Sequence, residues 1–231
     1  MKKMVQKALI SGMILIGANA FAQTKVQGSN GAEESKKSEN TYFDILINSV
    51  STNLNYGDSN VGLADFKKEA KGIQAGVSFQ AGITPAFSIV SEFYFMMKGG
   101  KLKSGNPLNN NEISQRLYGL ELPVLARFHL GKFHANAGPS IAYNLSGNRK
   151  INGESTDIAF NSSSNDFKRF EAGAQIGGGY TFRIKEKRVA LDLRYNYGLS
   201  SISRSQEIRN RSFVVSIHTS PRWRSNPLRK K

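Results

Sequence analysis

Six ionisable residues have the types and positions to act on one another. Glu92, Glu121, Arg127, Glu171, Asp192 and Arg194 each occupy the polar parity of a segment in which apolar and polar residues alternate. Acids and bases gathered on the inner face of one wall would pair, because a buried charge needs a partner. Such a set is either a satisfied polar core or a gate that opens when the charges re-pair. The three histidines suggest a second chemistry. If Gly131-Lys132 is a two-residue turn, Leu130 meets Phe133 and His129 lies across from His134, about 5 Å apart at Cβ. Two imidazoles with neither carboxylate nor thiolate make an incomplete metal site, and His218 lies several strands away. Acyl-lipid chemistry needs a serine or acid beside a histidine at the outer rim. All three histidines map to the opposite end. No catalytic residue, metal or cofactor is therefore expected, and Gly177-Gly178-Gly179 reads as strand interior, not as a phosphate loop.

The elements that must position these groups are strands. Aromatic and β-branched residues alternate with polar ones in runs near 42–50, 71–83, 87–101, 115–130, 132–145, 168–183, 187–200 and 209–219. The connections follow a rhythm. Those at 51–70, 102–114, 146–167 and 201–208 are long, and those at 84–86, 131–132 and 184–186 are tight turns. Outer-membrane barrels have short periplasmic turns and longer outside loops. With the amino terminus in the periplasm, every connection falls on the expected side. The fold expected is an all-β, eight-stranded, antiparallel up-and-down transmembrane barrel over residues 42–219.

Face composition distinguishes a membrane barrel from a soluble one. In 187–200 one face holds Val189, Leu191, Leu193, Tyr195, Tyr197 and Leu199; the other holds Arg188, Ala190, Asp192, Arg194, Asn196 and Gly198. Glycine on a water-facing sheet weakens it for no gain. Small residues beside a few charges suit a narrow lumen filled by side chains. Lysine gathers at strand ends and loops, as at Lys71, Lys101, Lys132, Lys168 and Lys187, and aromatics near strand ends (Phe128, Phe133, Phe182, Tyr195, Tyr197) suit interfacial girdles. The run near 87–101 fits least well, since Tyr94 and Met96 share a face with Glu92.

The flanks read as export and attachment. Lys2, Lys3 and Lys7 precede a short apolar core at 8–18 and the small-x-small site Ala20-Phe21-Ala22, the pattern of a secretory signal over residues 1–22. The core is well short of the roughly 20 residues of a membrane helix. Residues 23–41 are polar and read as a flexible periplasmic leader, and 220–231 as a basic tail. There is no cysteine, so no disulfide or thiolate site. The net charge is +15, or +12 once the three signal lysines are set aside. In an exported protein that charge suits outer-membrane lipids, including lipopolysaccharide phosphates, or an envelope protein partner, and not nucleic acid. The localisation expected is the outer membrane of a Gram-negative cell.

Within 118–147 stand Leu120-Glu121-Leu122-Pro123, Arg127-Phe128, Gly131-Lys132, Ala137-Gly138-Pro139 and Tyr143. This stretch resembles the PorT-like outer-membrane β-barrel family, widespread in Bacteroidota, and the similarity extends over most of 42–219. The resemblance implies a small outer-membrane barrel with a structural or partner-binding role, linked to secretion of proteins to the cell surface. A narrow solute channel and a lipid-modifying enzyme are the alternatives. Barrels of this kind usually end on an aromatic residue, whereas this chain runs on through Trp223 to Lys230-Lys231.

Overall fold

A period of two puts successive side chains on opposite faces of a strand, and here it persists long enough to close a ring. The computed structural model describes residues 40–108, 110–160, 167–184 and 187–220. The expected signal, the leader up to residue 39 and the basic tail from 221 lie outside the described residues. Eight long strands follow in order: β1 Tyr42–Asn55, β2 Ala70–Thr84, β3 Phe87–Leu102, β4 Ile113–Leu130, β5 Phe133–Ile151, β6 Phe170–Ile184, β7 Lys187–Gly198 and β8 Arg209–Thr219. Each pairs antiparallel with its successor, and β1 closes on β8 with Val50 opposite Val214. The fold is a closed eight-stranded antiparallel barrel, which leaves no long edge unpaired.

Two strands outrun their expected ends. β1 continues past residue 50 to Asn55, and β5 past residue 145 to Ile151. The reason lies in β1 itself: Thr52 and Leu54 keep the inward parity and are buried. Beyond the ring, Lys67–Lys68 pairs with the end of β3, and Glu154–Asp157 pairs back on β5. Short 3-10 turns at Gly57–Asn60 and Ala64–Phe66 fill the first long loop.

The distribution of polarity is inverted relative to a soluble domain. In β1, Ile45 and Ile47 are 53% and 55% exposed, whereas Asp44 and Asn48 are 1% and 0% exposed. The other strands repeat the pattern, with Ile73, Phe93, Leu193 and Phe213 outside and Gln74, Glu92, Asp192 and Ser212 inside. Aromatic rows bound this apolar wall. Near the short turns, Phe87 packs on Phe128 and Phe133 on Tyr180, with ring centroids 5.1 and 4.9 Å apart. Towards the long loops, Phe95 stacks on Tyr118 and Tyr143 meets Phe170, at 6.4 and 4.9 Å. On β4, Phe128 and Tyr118 are ten residues apart, or about 33 Å of strand, which stands about 25 Å tall at a tilt of about 40°. That is the height of an outer-membrane apolar band.

A charge at mid-wall tests this assignment. Leu193→Arg should destabilise the barrel by about 2–4 kcal/mol in lipid vesicles, read from urea unfolding. A cost below about 0.5 kcal/mol would mean that Leu193 does not face hydrocarbon.

Candidate functional site: the charged lumen and its outer cap

All six charges that parity places inside are buried in the lumen. Because the ring is narrow, two of the ion pairs span it. Arg194 on β7 reaches Glu92 on β3, four strands away, at 2.8 Å, and also donates to Gln175 at 3.2 Å and Ser216 at 2.8 Å. Arg127 on β4 reaches Asp192 on β7 at 2.7 Å, while its other nitrogens donate to Asn136 at 2.7 Å and Gln80 at 2.9 Å. Both guanidiniums are therefore held at three points, the geometry that suits a rigid planar fork.

Glu121 and Glu171 are served by a residue the sequence reading passed over. Lys98 points inward from β3, with its Nζ 3.0 Å from Glu121 and 3.8 Å from Glu171. This corrects the expectation that lysine stays at strand ends; the shared parity of Lys98 and Glu92 was the available signal. Asn144 and Asn210 each donate to Glu171 at 2.7 Å, and Asn196 to Glu121 at 2.9 Å. A second missed pair lies near the short turns. Arg188 donates to Asp44 at 2.8 Å and stacks over the Tyr42 ring at 4.1 Å. Among the described residues, the lumen thus joins five acids (Asp44, Glu92, Glu121, Glu171, Asp192) to four bases (Lys98, Arg127, Arg188, Arg194).

The histidines sit at the end of the barrel that carries the short turns. His129 opposes His134 in register, with ring centroids 6.4 Å apart. The view of two imidazoles without a carboxylate needs correction, because Asp192 lies 2.5 Å from His134 Nε2. His218 stands three strands from His134, yet its Nε2 lies 3.5 Å from Asp192 and 3.8 Å from Glu92. Strand order separates these groups and the narrow lumen reunites them. Among the described residues, no three His, Cys, Asp or Glu side chains are arranged to hold a metal ion. Ser88 Oγ lies 2.8 Å from His129 Nε2, a pair that resembles a nucleophile and its base. Ser88 is fully buried, however, and a nucleophile must meet its substrate.

The interior is not polar throughout. Tyr94 and Met96, the residues that fitted least well, turn inward with Glu92 and pack on Leu46 and Ala142 as an apolar layer. A larger apolar cluster closes the mouth at the long-loop end. Leu54 and Leu117 project from the wall, and Phe167, Ile202 and Ile208 fold in from the third and fourth long loops. The two loops are tied by the Phe167–Ser203 bridge and by Lys168 N donating to Ile202 O at 2.7 Å. Arg149 lies over Phe167, 5.4 Å from the ring centroid. Tyr56 packs against the cluster, and burial pushes its hydroxyl up to about 12. The wall also narrows here, where Thr52 on β1 donates directly to Gly99 O on β3 at 2.8 Å.

A family model described as an outer membrane protein beta-barrel domain matches residues 17–204. No curated protein is similar in sequence. Solved structures of similar architecture include Ail of Yersinia pestis, at 10% identity over 78% of this chain and 97% of that one, with a TM-score of 0.41. Neisserial surface protein A is 12% identical over 78% and 97% of the two chains, with a TM-score of 0.45. OprG of Pseudomonas aeruginosa is 10% identical over 80% and 96%, with a TM-score of 0.37.

Proposed function

Because this chain belongs to the outer membrane protein beta-barrel domain family and resides in the outer membrane, we propose that it is a structural, partner-binding barrel and neither a pore nor an enzyme. The observation that carries this reading is the braced and capped lumen. The Arg194–Glu92 and Arg127–Asp192 pairs cross it, and Leu54, Leu117, Phe167, Ile202 and Ile208 close its outer mouth. A solute would have to separate buried ion pairs, each costing several kcal/mol to break, and then displace a packed apolar cap. The serine that lies against a histidine, Ser88, is sealed inside and cannot meet a substrate.

The outer surface is what remains available for contact. Phe167 from the third long loop and Ile202, Ser203 and Ile208 from the fourth are stitched into the cap, so these parts of the loops present a fixed shape to a partner in the envelope. The likeness of 118–147 to PorT-like barrels supports a partner concerned with moving proteins to the cell surface. Lipid head groups are the other partner in this reading. Planar-bilayer recording tests the central claim: the purified barrel should insert without steady conductance. Sustained single-channel openings that persist in independent preparations would refute it.

A further inference from the structure

Beyond its apolar band the outer wall carries charge. Above the upper aromatic row, the outward face of β3, β4 and β5 carries Lys101, Arg116 and Lys150 around a concavity of about 480 Å³. Register places them together. Lys101 pairs with Ser114, Ser114 with Lys150, and Arg116 with Asn148. The parity is outward: on β4 the intervening Gln115 and Leu117 are buried, while Ser114, Arg116 and Tyr118 are partly exposed.

We propose that this concavity binds a phosphate group of the glycolipid that forms the outer leaflet. Four features lead to that ligand. The first is unbalanced charge. The arginines and the lysine of the lumen all have carboxylate partners, yet among the described residues none of these three cations has one within ion-pair distance. Among the described residues, Glu112 at the rim is the one acid that lines the concavity. Like charges clustered on one sheet face repel, so the cluster calls for an anion. The second is donor chemistry. An arginine fork flanked by two lysines, with Ser114 and Asn148 between them, matches the several oxygens of a phosphate.

The third feature is height. Arg116 lies two residues beyond Tyr118, about 7 Å of strand, and aromatic girdles sit at head-group level. The fourth is continuity with the apolar wall. Directly below, Phe95, Leu120, Tyr143 and Phe170 form one registered row, against which acyl chains of the same molecule would lie. That row favours a phosphorylated glycolipid over free phosphate. The rim is also held in place, since Asn152 and Glu112 exchange two hydrogen bonds of 3.0 and 3.1 Å. The inference depends on which end faces outward and not on the closed lumen, so a conducting barrel would leave it standing.

The test compares the folded full barrel with the variant Lys101→Gln, Arg116→Gln, Lys150→Gln, both in detergent and both checked for folding by their heat-dependent gel shift. Binding is measured to lipopolysaccharide, to the same glycolipid stripped of phosphate, to phosphatidylglycerol and to inorganic phosphate. The triple variant should bind lipopolysaccharide on the order of a hundredfold more weakly, at about a factor of five per cation. Lys132→Gln with Lys187→Gln, at the opposite end, should leave binding unchanged. The unaltered barrel should hold the phosphate-free glycolipid, phosphatidylglycerol and inorganic phosphate at least about tenfold less tightly than lipopolysaccharide. Equal binding by the triple variant would overturn the proposal. So would equal binding of the stripped glycolipid or of phosphatidylglycerol by the unaltered barrel, arms that need no variant to fold.

Discussion

Asp192→Ala is expected to cost the barrel about 3–5 kcal/mol of unfolding free energy. The carboxylate is fully buried and accepts from Arg127 at 2.7 Å and Asn136 at 3.0 Å, with His134 at 2.5 Å. Its removal strands a guanidinium in the lumen, where water cannot replace the lost partner. Urea titration of the refolded protein would show the loss as an earlier midpoint with an unchanged slope. The companion variant Arg127→Leu, Asp192→Leu should recover most of the loss, since apolar replacement of a buried pair is often close to neutral. Recovery should be incomplete, because Asn136 and His134 still lack their acceptor. A cost below about 1 kcal/mol for Asp192→Ala would mean that the lumen is wetter and less braced than its geometry indicates.

Gly177→Val should prevent closure altogether. A Cβ at this position would lie 2.1 Å from Leu193 O and 2.7 Å from the Cα of Arg194 on the neighbouring strand. Those are backbone atoms in the β6–β7 ladder, where Gly177 is registered with Arg194, and they cannot step aside as a flexible side chain can. The added carbon would also meet Arg194 Cγ at 2.8 Å and push the guanidinium off Glu92. The expected result is loss of the folded, heat-sensitive gel band under conditions that fold the unaltered chain. Gly173→Ala is the informative contrast. Its nearest contacts would be Ser140 Oγ at 3.0 Å and Asn196 Oδ1 at 3.1 Å, both on side chains that can rotate, with the backbone oxygen of Tyr197 next at 3.2 Å, so the cost should stay within the roughly 1–3 kcal/mol of mild overpacking. If Gly177→Val folds with the same yield and midpoint as the unaltered barrel, the tight β6–β7 approach is not required for closure.

These effects separate what could be read from residue order and what could not. Parity along β3, β4, β6 and β7 placed Glu92, Glu121, Arg127, Glu171, Asp192 and Arg194 inside, and the lumen holds them all. Parity names a face, but neither a height nor a bearing around the ring, so it could not match Arg194 with Glu92. It already contained Lys98, which shares its parity with Glu92, and Asp44, which precedes the inward Leu46 and Asn48. Lys98 was missed because composition suggested that lysine stays at strand ends. The outer cap was hidden more deeply. Phe167, Ile202 and Ile208 lie outside the long strands, where no periodicity shows which way a side chain turns.

Residue order by itself determined the number of strands and which face of each turns inward. A strand has a period of two, and slipping its register by one would put every isoleucine of β1 into the lumen and every charge into lipid. Only the closed ring decided the pairing of the charges, the meeting of His218 with Asp192 and the sealing of the outer mouth. Those depend on which strands stand opposite one another, and that distance is set jointly by the tilt and stagger of all eight strands, not by any one of them.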